Sequence, residues 1–420
     1  MSNKSSRFKK LRYLLSTLKF NQNEFLWGLV IATLFSLFIY LEIFDLHFLL
    51  LNSIIAIYVF YKIFKATQGT LVVAGFFIGL FWFYWVGFSF MYVDMMLAIP
   101  FVSLVFGMVF SFTFWIIGFT QKIYFRLPLI FLLSFYDPFY FNWFRPELLL
   151  LHSYFGVTLW QYALFLSSIA LYVHFQKQRF ALLAFLLLLG SINFTVATTK
   201  PLPFTVTVEH TDIQQEQKWL RSQLEPILDM NFLKIHKAIK ENKELVVLPE
   251  STIPLYLNLY PSLENQLKEL SHKISIIIGS LYMHEQKPYN ATYYFHNGEE
   301  DIAKKMILVP FGEYIPLPKF IRKYINDLIF QGGADYETAK TPTDFILNGI
   351  KIRNAICYEA TCELFYKDGV RYITALTNNG WFRPSIEPVL QKLLIGLYAK
   401  RHGVTVLHSV NGSPSEIIHP

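Results

Sequence analysis

Residues 66–93 read ATQGTLVVAGFFIGLFWFYWVGFSFMYV, a stretch of the chain that contains no charged side chain. A transmembrane helix needs about 20 mostly apolar residues, so this stretch predicts a membrane span. Similar runs cover residues 25–41, 46–61, 95–121, 148–176 and 180–199, and a weaker one, residues 127–144, is interrupted by Asp137. The sequence therefore predicts an α-helical multi-pass membrane domain of about seven helices over residues 1–199.

The composition agrees with an integral membrane protein. Hydrophobic residues make up 54% of the chain and charged residues 16%, whereas soluble proteins average about 45–50% and about 25%. The 42 Phe, 25 Tyr and 8 Trp exclude a disordered chain, which needs low hydrophobicity.

The net charge of +7 lies entirely in the membrane half. Residues 1–199 hold 13 Lys and Arg against 6 Asp and Glu (13 − 6 = +7), and residues 200–420 hold 24 of each. Basic residues flank alternate ends of the spans, which marks the cytoplasmic side of a membrane protein. Seven helices with a cytoplasmic N-terminus, the first an uncleaved span, place the chain after residue 199 on the outer face. No nucleic-acid partner is expected from this charge pattern.

Residues 200–420 have the pattern of a soluble α/β domain, with short apolar runs between amphipathic helices. Predicted strands cover residues 204–208, 245–248, 274–281, 291–295, 306–309, 350–356 and 372–376. Helices are predicted over residues 215–241 and 387–402, and His296-Asn297-Gly298 predicts a hairpin turn. The sequence has no phosphate-binding glycine loop, no GxSxG and no HExxH, so neither a nucleotide cofactor nor a metal is expected.

Three reactive side chains stand beside predicted strands: Glu250, Lys305 and Cys357. Strand ends of α/β sheets are where reacting groups converge. A carboxylate can take the proton of a thiol, and a nearby ammonium favours the thiolate and stabilises an oxyanion. Together the three residues predict an acyl-transfer site.

Each of the three also has an ordinary structural interpretation. A single cysteine at a strand end is usually a small buried apolar residue, and Lys305 follows Lys304 as part of a solvated charge pair. Glu250 can sit in the first turn of a helix, where the helix dipole favours a carboxylate. A strained disulfide between Cys357 and Cys362 is a further alternative on the outer face of a membrane.

Four motifs occur in the order and spacing of the carbon-nitrogen hydrolase (nitrilase) superfamily. They are LPE at 248–250, LVPFGEY at 308–314, ICYE at 356–359 and TNNGWF at 377–382. On a domain that follows several membrane spans, they resemble one branch of the superfamily, the bacterial apolipoprotein N-acyltransferases. The resemblance implies a nitrilase-like αββα sandwich over residues 200–420, on the periplasmic side of the inner membrane.

The resemblance also implies residue roles: Glu250 as general base, Lys305 as oxyanion stabiliser and Cys357 as nucleophile. Glu313, Tyr358 and Glu359 match supporting residues of the family, and Trp219 matches a substrate-binding tryptophan. The family moves an acyl chain from a membrane phospholipid to the cysteine as a thioester. It then passes the chain to the amine of a diacylglyceryl apolipoprotein. No cofactor or metal takes part.

Residues 319–331 predict an amphipathic helix with Phe320, Ile321 and Tyr324 on its apolar face. Two interpretations stay open, a mobile lid that dips into lipid and an ordinary core-packing helix.

The sequence departs from the family at Asn378-Asn379-Gly380, where Asn-Asp is usual, and at Tyr398 and Arg401, where relatives have Arg and Glu. A C-terminal membrane helix, common in the family, is not expected in the sequence up to Pro420. These differences bear on substrate orientation and anchoring.

Two other functions are open at this point. A membrane-tethered amidase would use the same three residues with water as acceptor. A receptor or transporter with an outer binding domain would not depend on Cys357 at all.

Overall fold

Seven apolar helical segments form the membrane half within the part of the chain that the structure describes. This computed structural model describes residues 21–93, 95–175, 178–194, 201–310, 313 and 336–420. The helices are α1 (Gln22–Glu42), α2 (Leu49–Lys65), α3 (Gln68–Phe83), α4 (Ala98–Gly118), α5 (Ile123–Leu132), α6 (Leu159–Phe175) and α7 (Gln178–Gly190). Among the described residues, three stretches are long and apolar enough to cross a membrane: Gln22–Glu42, Gln68–Tyr92 and Ala98–Gly118.

The prediction of a continuous span over residues 127–144 is wrong. Helix α5 ends at Leu132, and short 3-10 turns follow it. Pro138 has no N–H to donate and disfavours the helical conformation of the residue before it. That residue, Asp137, forms an ion pair with Arg145 at 2.8 Å. Residues 133–158 are called the platform loop below.

The second half contains two five-stranded sheets. The first has the order β1-β2-β3-β4-β5 and the second the order β10-β9-β8-β7-β6. Strands of the first are β1 (Val206–Val208), β2 (Leu245–Val247), β3 (Ser275–His284), β4 (Lys287–His296) and β5 (Glu299–Lys304). Strands of the second are β6 (Asp344–Leu347), β7 (Ile350–Ile356), β8 (Tyr372–Asn378), β9 (Thr405–Asn411) and β10 (Glu416–Ile418). Parallel pairing joins β1, β2 and β3 in one sheet and β7, β8 and β9 in the other.

Helices cover the outer face of each sheet, which confirms the expected αββα sandwich. The helices are α8 (Gln215–Lys218), α9 (Leu224–Lys240), α10 (Pro261–Ser271) and α11 (Glu387–His402). Apolar side chains of β2 and β3 meet those of β7, β8 and β9 between the sheets. Helices α9 and α10 pack on the first sheet. Helix α11 packs on the second sheet in a core that continues into the membrane helices.

The prediction of a strand over residues 306–309 is wrong, because the strand of this region is β5 and ends at Lys304. The hairpin turn explains the shift. Asn297 and Gly298 adopt positive φ angles of 51° and 84°, so the chain reverses at once and β5 pairs with β4. Strands β6, β9 and β10 were not predicted. Helix α11 has the predicted bounds, and residues 215–241 form two helices, α8 and α9.

The platform loop joins the two halves of the molecule. Arg401 of α11 forms an ion pair with Glu147 at 2.9 Å, and Trp143 donates its indole N–H to Thr361 at 2.8 Å. Lys392 of α11 reaches Glu42, the last residue of α1, at 3.1 Å. The sandwich is therefore seated on the membrane helices by polar contacts as well as by apolar packing.

Candidate active site

Glu250 follows β2 in a tight loop that lies against β3. An added Cβ atom on Gly279 would lie 2.5 Å from both the Pro249 oxygen and the Ser251 nitrogen, so only glycine lets the loop approach β3 this closely. Ser251 has a φ of 46°, the left-handed region that costs energy for a side-chain-bearing residue. The Glu250 carboxylate is thereby held in a buried position.

Lys305 directly follows β5 and is fully buried. Its ammonium lies 2.8 Å from a Glu313 carboxylate oxygen and 3.4 Å from Glu250 Oε1. Burial acts to lower the pKa of Lys305, but Glu313 and Glu250 outweigh it and raise the pKa above its ordinary value. Lys305 therefore stays charged, flanked by two carboxylates.

Asn290 of β4 completes this cluster and was not predicted. Its amide donates to Glu250 Oε1 at 2.7 Å and reaches Glu313 Oε1 at 3.5 Å. Strand β4 also presents the Asn290 carbonyl to the backbone N–H of Lys305 at 2.8 Å. A polar residue inside an otherwise apolar strand was the available sequence signal.

Cys357 stands immediately after β7, at a sharp turn where its φ is 55°. A non-glycine residue in this conformation costs about 1–3 kcal/mol and persists where the surroundings enforce it. The residue as a whole is partly exposed at this turn, although its thiol is buried. Gln391 of α11 places its side-chain nitrogen 3.9 Å from the sulphur.

The pKa of the Cys357 thiol is raised well above its ordinary value. Burial is the main cause, and Glu250, Glu387 and Glu313 add to it, while Lys305 acts in the opposite direction. The Lys305 ammonium acts to lower the pKa of the thiol, as expected, but burial and the three carboxylates outweigh it. The resting thiol is thus protonated at neutral pH, and a base has to take its proton when it reacts.

Glu359, two residues after Cys357, is buried. Its carboxylate accepts hydrogen bonds from the backbone N–H groups of Ile356, Met306 and Ile307. It therefore ties the turn at Cys357 to the segment that follows Lys305. Burial raises the pKa of Glu359 to about 7, although these hydrogen bonds and Lys305 act to lower it.

Tyr358 points away from the reacting residues and into the platform loop. Its hydroxyl accepts from the Asn142 backbone N–H at 3.0 Å and donates to the Tyr140 carbonyl at 3.2 Å. Its ring stacks on Phe141 and Trp143. Tyr358 anchors the nucleophile turn to the membrane half.

The predicted disulfide alternative is wrong, because Cys357 and Cys362 are both free thiols. Cys362 is turned toward the platform loop, where Asn142 Nδ2 lies 3.4 Å from its sulphur. Cys357 contacts Gln391 on another side of the same turn.

Trp219 lies outside the cluster and is 46% exposed. It lines an open groove of about 660 Å³ with the apolar and aromatic side chains of Pro254, Leu255, Tyr256, Leu259, Tyr260, Leu281 and Tyr336. The groove borders the loop that carries Glu250. An apolar chain is the kind of ligand that suits such a lining.

Lys218, beside Trp219, is a second buried lysine that was not predicted. Its ammonium donates to the Glu250 carbonyl at 3.0 Å. Burial lowers the pKa of Lys218 to about 8, against the opposing effects of Glu250 and Cys357. It therefore ties the loop that carries Glu250 to helix α8.

The residues that depart from the family have structural contacts here. Asn378 bridges Gln215 at 3.0 Å and Asn411 at 2.8 Å. Tyr398 accepts a hydrogen bond from Arg145 at 3.1 Å, and Arg401 pairs with Glu147. The predicted amphipathic helix, residues 319–331, lies outside the described residues.

Two facing sheets that carry Glu250, Lys305 and Cys357 at their strand ends, on apolar membrane helices, define a membrane-bound protein of the carbon-nitrogen hydrolase class. Residues 213–411 match the carbon-nitrogen hydrolase family, and residues 22–194 match the apolipoprotein N-acyltransferase integral membrane domain. The chain belongs to the apolipoprotein N-acyltransferase family.

Curated relatives with that name match over nearly the whole chain. The apolipoprotein N-acyltransferase of Wolinella succinogenes is 40% identical over 93% of this chain and 94% of its own length. That of Helicobacter hepaticus is 36% identical over 82% of this chain and 88% of its own length. The Campylobacter jejuni relative is 32% identical over 96% of this chain and 92% of its own length.

Proposed function

We propose that this protein N-acylates the N-terminal diacylglyceryl-cysteine of bacterial apolipoproteins with an acyl chain taken from a membrane phospholipid. The observation that supports this most is the buried cluster of Glu250, Lys305 and Glu313 beside the turn of Cys357. The membership of the chain in the family agrees with it.

In the first half-reaction, Glu250 takes the proton of the Cys357 thiol as the sulphur attacks the ester carbonyl of the phospholipid. The S–C bond forms, and Lys305 stabilises the oxyanion. When the C–O bond breaks, Glu250 returns the proton to the leaving oxygen. Lysophospholipid departs and a thioester remains on Cys357. The raised pKa of Cys357 supports a coupled proton transfer over a preformed thiolate.

In the second half-reaction, the neutral amine of the acceptor attacks the thioester. The N–C bond forms, the S–C bond breaks, and Glu250 carries the proton from nitrogen to sulphur. Glu313 and Asn290 keep Lys305 and Glu250 in place through their direct contacts. Glu359 and Tyr358 support the nucleophile turn, and the groove beside Trp219 receives an apolar part of a substrate.

The location that fits this chemistry is the periplasmic face of the inner membrane. Residues 1–199 form the membrane domain and residues 200–420 the catalytic domain in this proposal. The alternation of basic residues along the spans supports the orientation. Both substrates carry acyl chains, so a site seated on membrane helices can receive them from the bilayer.

The test uses the purified protein in mixed micelles of phospholipid and detergent with a synthetic diacylglyceryl lipopeptide. We expect the lipopeptide to gain the mass of one acyl chain and lysophospholipid to appear in equal amount. Cys357→Ala should abolish both products, and Cys362→Ala should keep them. Free fatty acid without acylated lipopeptide would contradict the proposal and favour hydrolysis.

A further inference from the structure

Two buried side chains on α11 face the nucleophile and have unused hydrogen-bonding atoms. Glu387 and Gln391 are 2% and 0% exposed. Among the described residues, Glu387 Oε2 and Gln391 Oε1 have no hydrogen-bond partner. Buried polar atoms are nearly always paired, so two unpaired oxygens on one helix face call for a ligand.

The position of this pair is fixed by the helix. Residues four apart lie on the same face of an α-helix, and Gln391 contacts the Cys357 sulphur at 3.9 Å. Glu387 therefore lies one helical turn from Gln391, at the first residue of α11. The backbone N–H of Glu387 donates to the Ser385 hydroxyl at 3.1 Å. The Glu387 carboxylate is therefore not used to cap this N–H group.

The electrostatics make the Glu387 carboxylate a stronger base than an ordinary carboxylate. Burial and Glu250 raise the pKa of the Glu387 carboxyl well above its ordinary value. Glu387 in turn raises the pKa of the Cys357 thiol. The charged group that acts on Glu387 is Glu250, from the loop after β2. Lys392 of the same helix is engaged by Glu42 and Glu416.

The second half-reaction requires the removal of one more proton than the first, because the acceptor amine has to lose a proton before it can attack. An α-amine has an ordinary pKa of about 7.7–8.0, so at neutral pH the acceptor arrives mainly as an ammonium. Only the neutral amine can attack the thioester. Glu250 handles the proton that leaves nitrogen during attack, so the surplus proton of the ammonium needs a second base.

We propose that Glu387 and Gln391 form the binding site for the acceptor's α-amino group. Glu387 takes the surplus proton, so that the carboxylate and ammonium become a carboxylic acid and a neutral amine, and the acid loses that proton to water before the next acceptor binds. Gln391 Oε1 accepts an N–H of that amine and directs the nitrogen to the thioester beside it. This inference rests on the proposed function and adds to it a residue pair for the acceptor.

The test measures the two half-reactions separately. Acyl-enzyme formation is followed by intact mass with phospholipid alone, and transfer is followed after adding the lipopeptide. For Glu387→Gln we expect acylation within about 2-fold of wild type and transfer slowed roughly 100-fold at pH 7, the usual range for loss of a general base. The transfer defect should shrink as pH rises to about 9, because more of the acceptor is already neutral.

Two further variants are measured beside Glu387→Gln. Gln391→Met should raise the KM for the lipopeptide by a larger factor than it slows acylation, and it tests the site even if Glu387→Gln folds poorly. Glu264→Gln, a carboxylate change on the remote helix α10, is the matched control and should behave as wild type. Wild-type transfer in Glu387→Gln, or an equal loss in both half-reactions, would overturn the inference. Absence of any acyl-enzyme in the wild type would overturn the proposed function together with it.

Discussion

The Cys357 thiol is surrounded by more negative than positive charge. Burial and three carboxylates raise its pKa, and the main opposing influence is Lys305. A thiol in such surroundings reacts only when a base and a substrate are both in place. In the proposed mechanism, this property would limit alkylation or oxidation of Cys357 between turnovers.

The raised pKa predicts the pH dependence of alkylation at Cys357. A raised pKa lowers the thiolate fraction at every pH below it, so iodoacetamide should modify Cys357 more slowly than a free thiol at pH 7. The rate should still be rising at about pH 9, beyond the ordinary thiol pKa of about 8.5. Mass spectrometry of a Cys362→Ala variant measures this directly. A rate that levels off below pH 8 would show that a stable thiolate is present.

At the scale of elements, α11 connects the turn at Cys357 to the membrane half. One end of it carries Glu387 and Gln391, near Cys357, and the other carries Arg401. The guanidinium of Arg401 pairs with Glu147 at 2.9 Å and donates to the Val157 carbonyl, both in the platform loop. Tyr358 makes a second connection from the nucleophile turn to the same loop.

A double-mutant cycle tests the Arg401–Glu147 connection. Both side chains are buried, so Arg401→Met leaves Glu147 without its counter-charge and should lower the free energy of unfolding by roughly 3–5 kcal/mol. Adding Glu147→Gln should restore part of that loss, because the stranded charge is removed. Thermal unfolding in detergent measures the effect. Strictly additive losses would show that the two residues do not act as a pair.

At the scale of the whole molecule, the sandwich and the helices share one apolar core. The site is therefore at a fixed height above the membrane helices. This arrangement suits substrates that enter from the bilayer. Its orientation across the membrane is the feature that basic residues in the sequence predict.

Single cysteines can test that orientation. In a background with Cys357→Ala and Cys362→Ala, Lys240→Cys at the exposed end of α9 should react with a membrane-impermeant maleimide in intact cells. Lys65→Cys, at the exposed end of α2, should react only after the inner membrane is permeabilised. The opposite labelling pattern would contradict a periplasmic catalytic domain.

Hydrophobic periodicity in the sequence predicted the secondary structure correctly where a residue's environment is set by its own helix or strand. The α11 bounds and the β4–β5 hairpin turn were predicted for this reason. The span over residues 127–144 failed because the helix ends at Leu132 and Pro138 follows in a 3-10 turn, while Asp137 pairs with Arg145. Lys218, Gln391 and Asn290 were not foreseen, since burial of a polar side chain against a distant loop leaves no local pattern.

The most direct test of the central claim is the intact mass of the purified protein after incubation with phospholipid and no acceptor. We predict a gain of one acyl chain, absent in Cys357→Ala and discharged by a diacylglyceryl lipopeptide. An unchanged mass in a folded wild-type protein would contradict the thioester on Cys357 and the acyl transfer built on it.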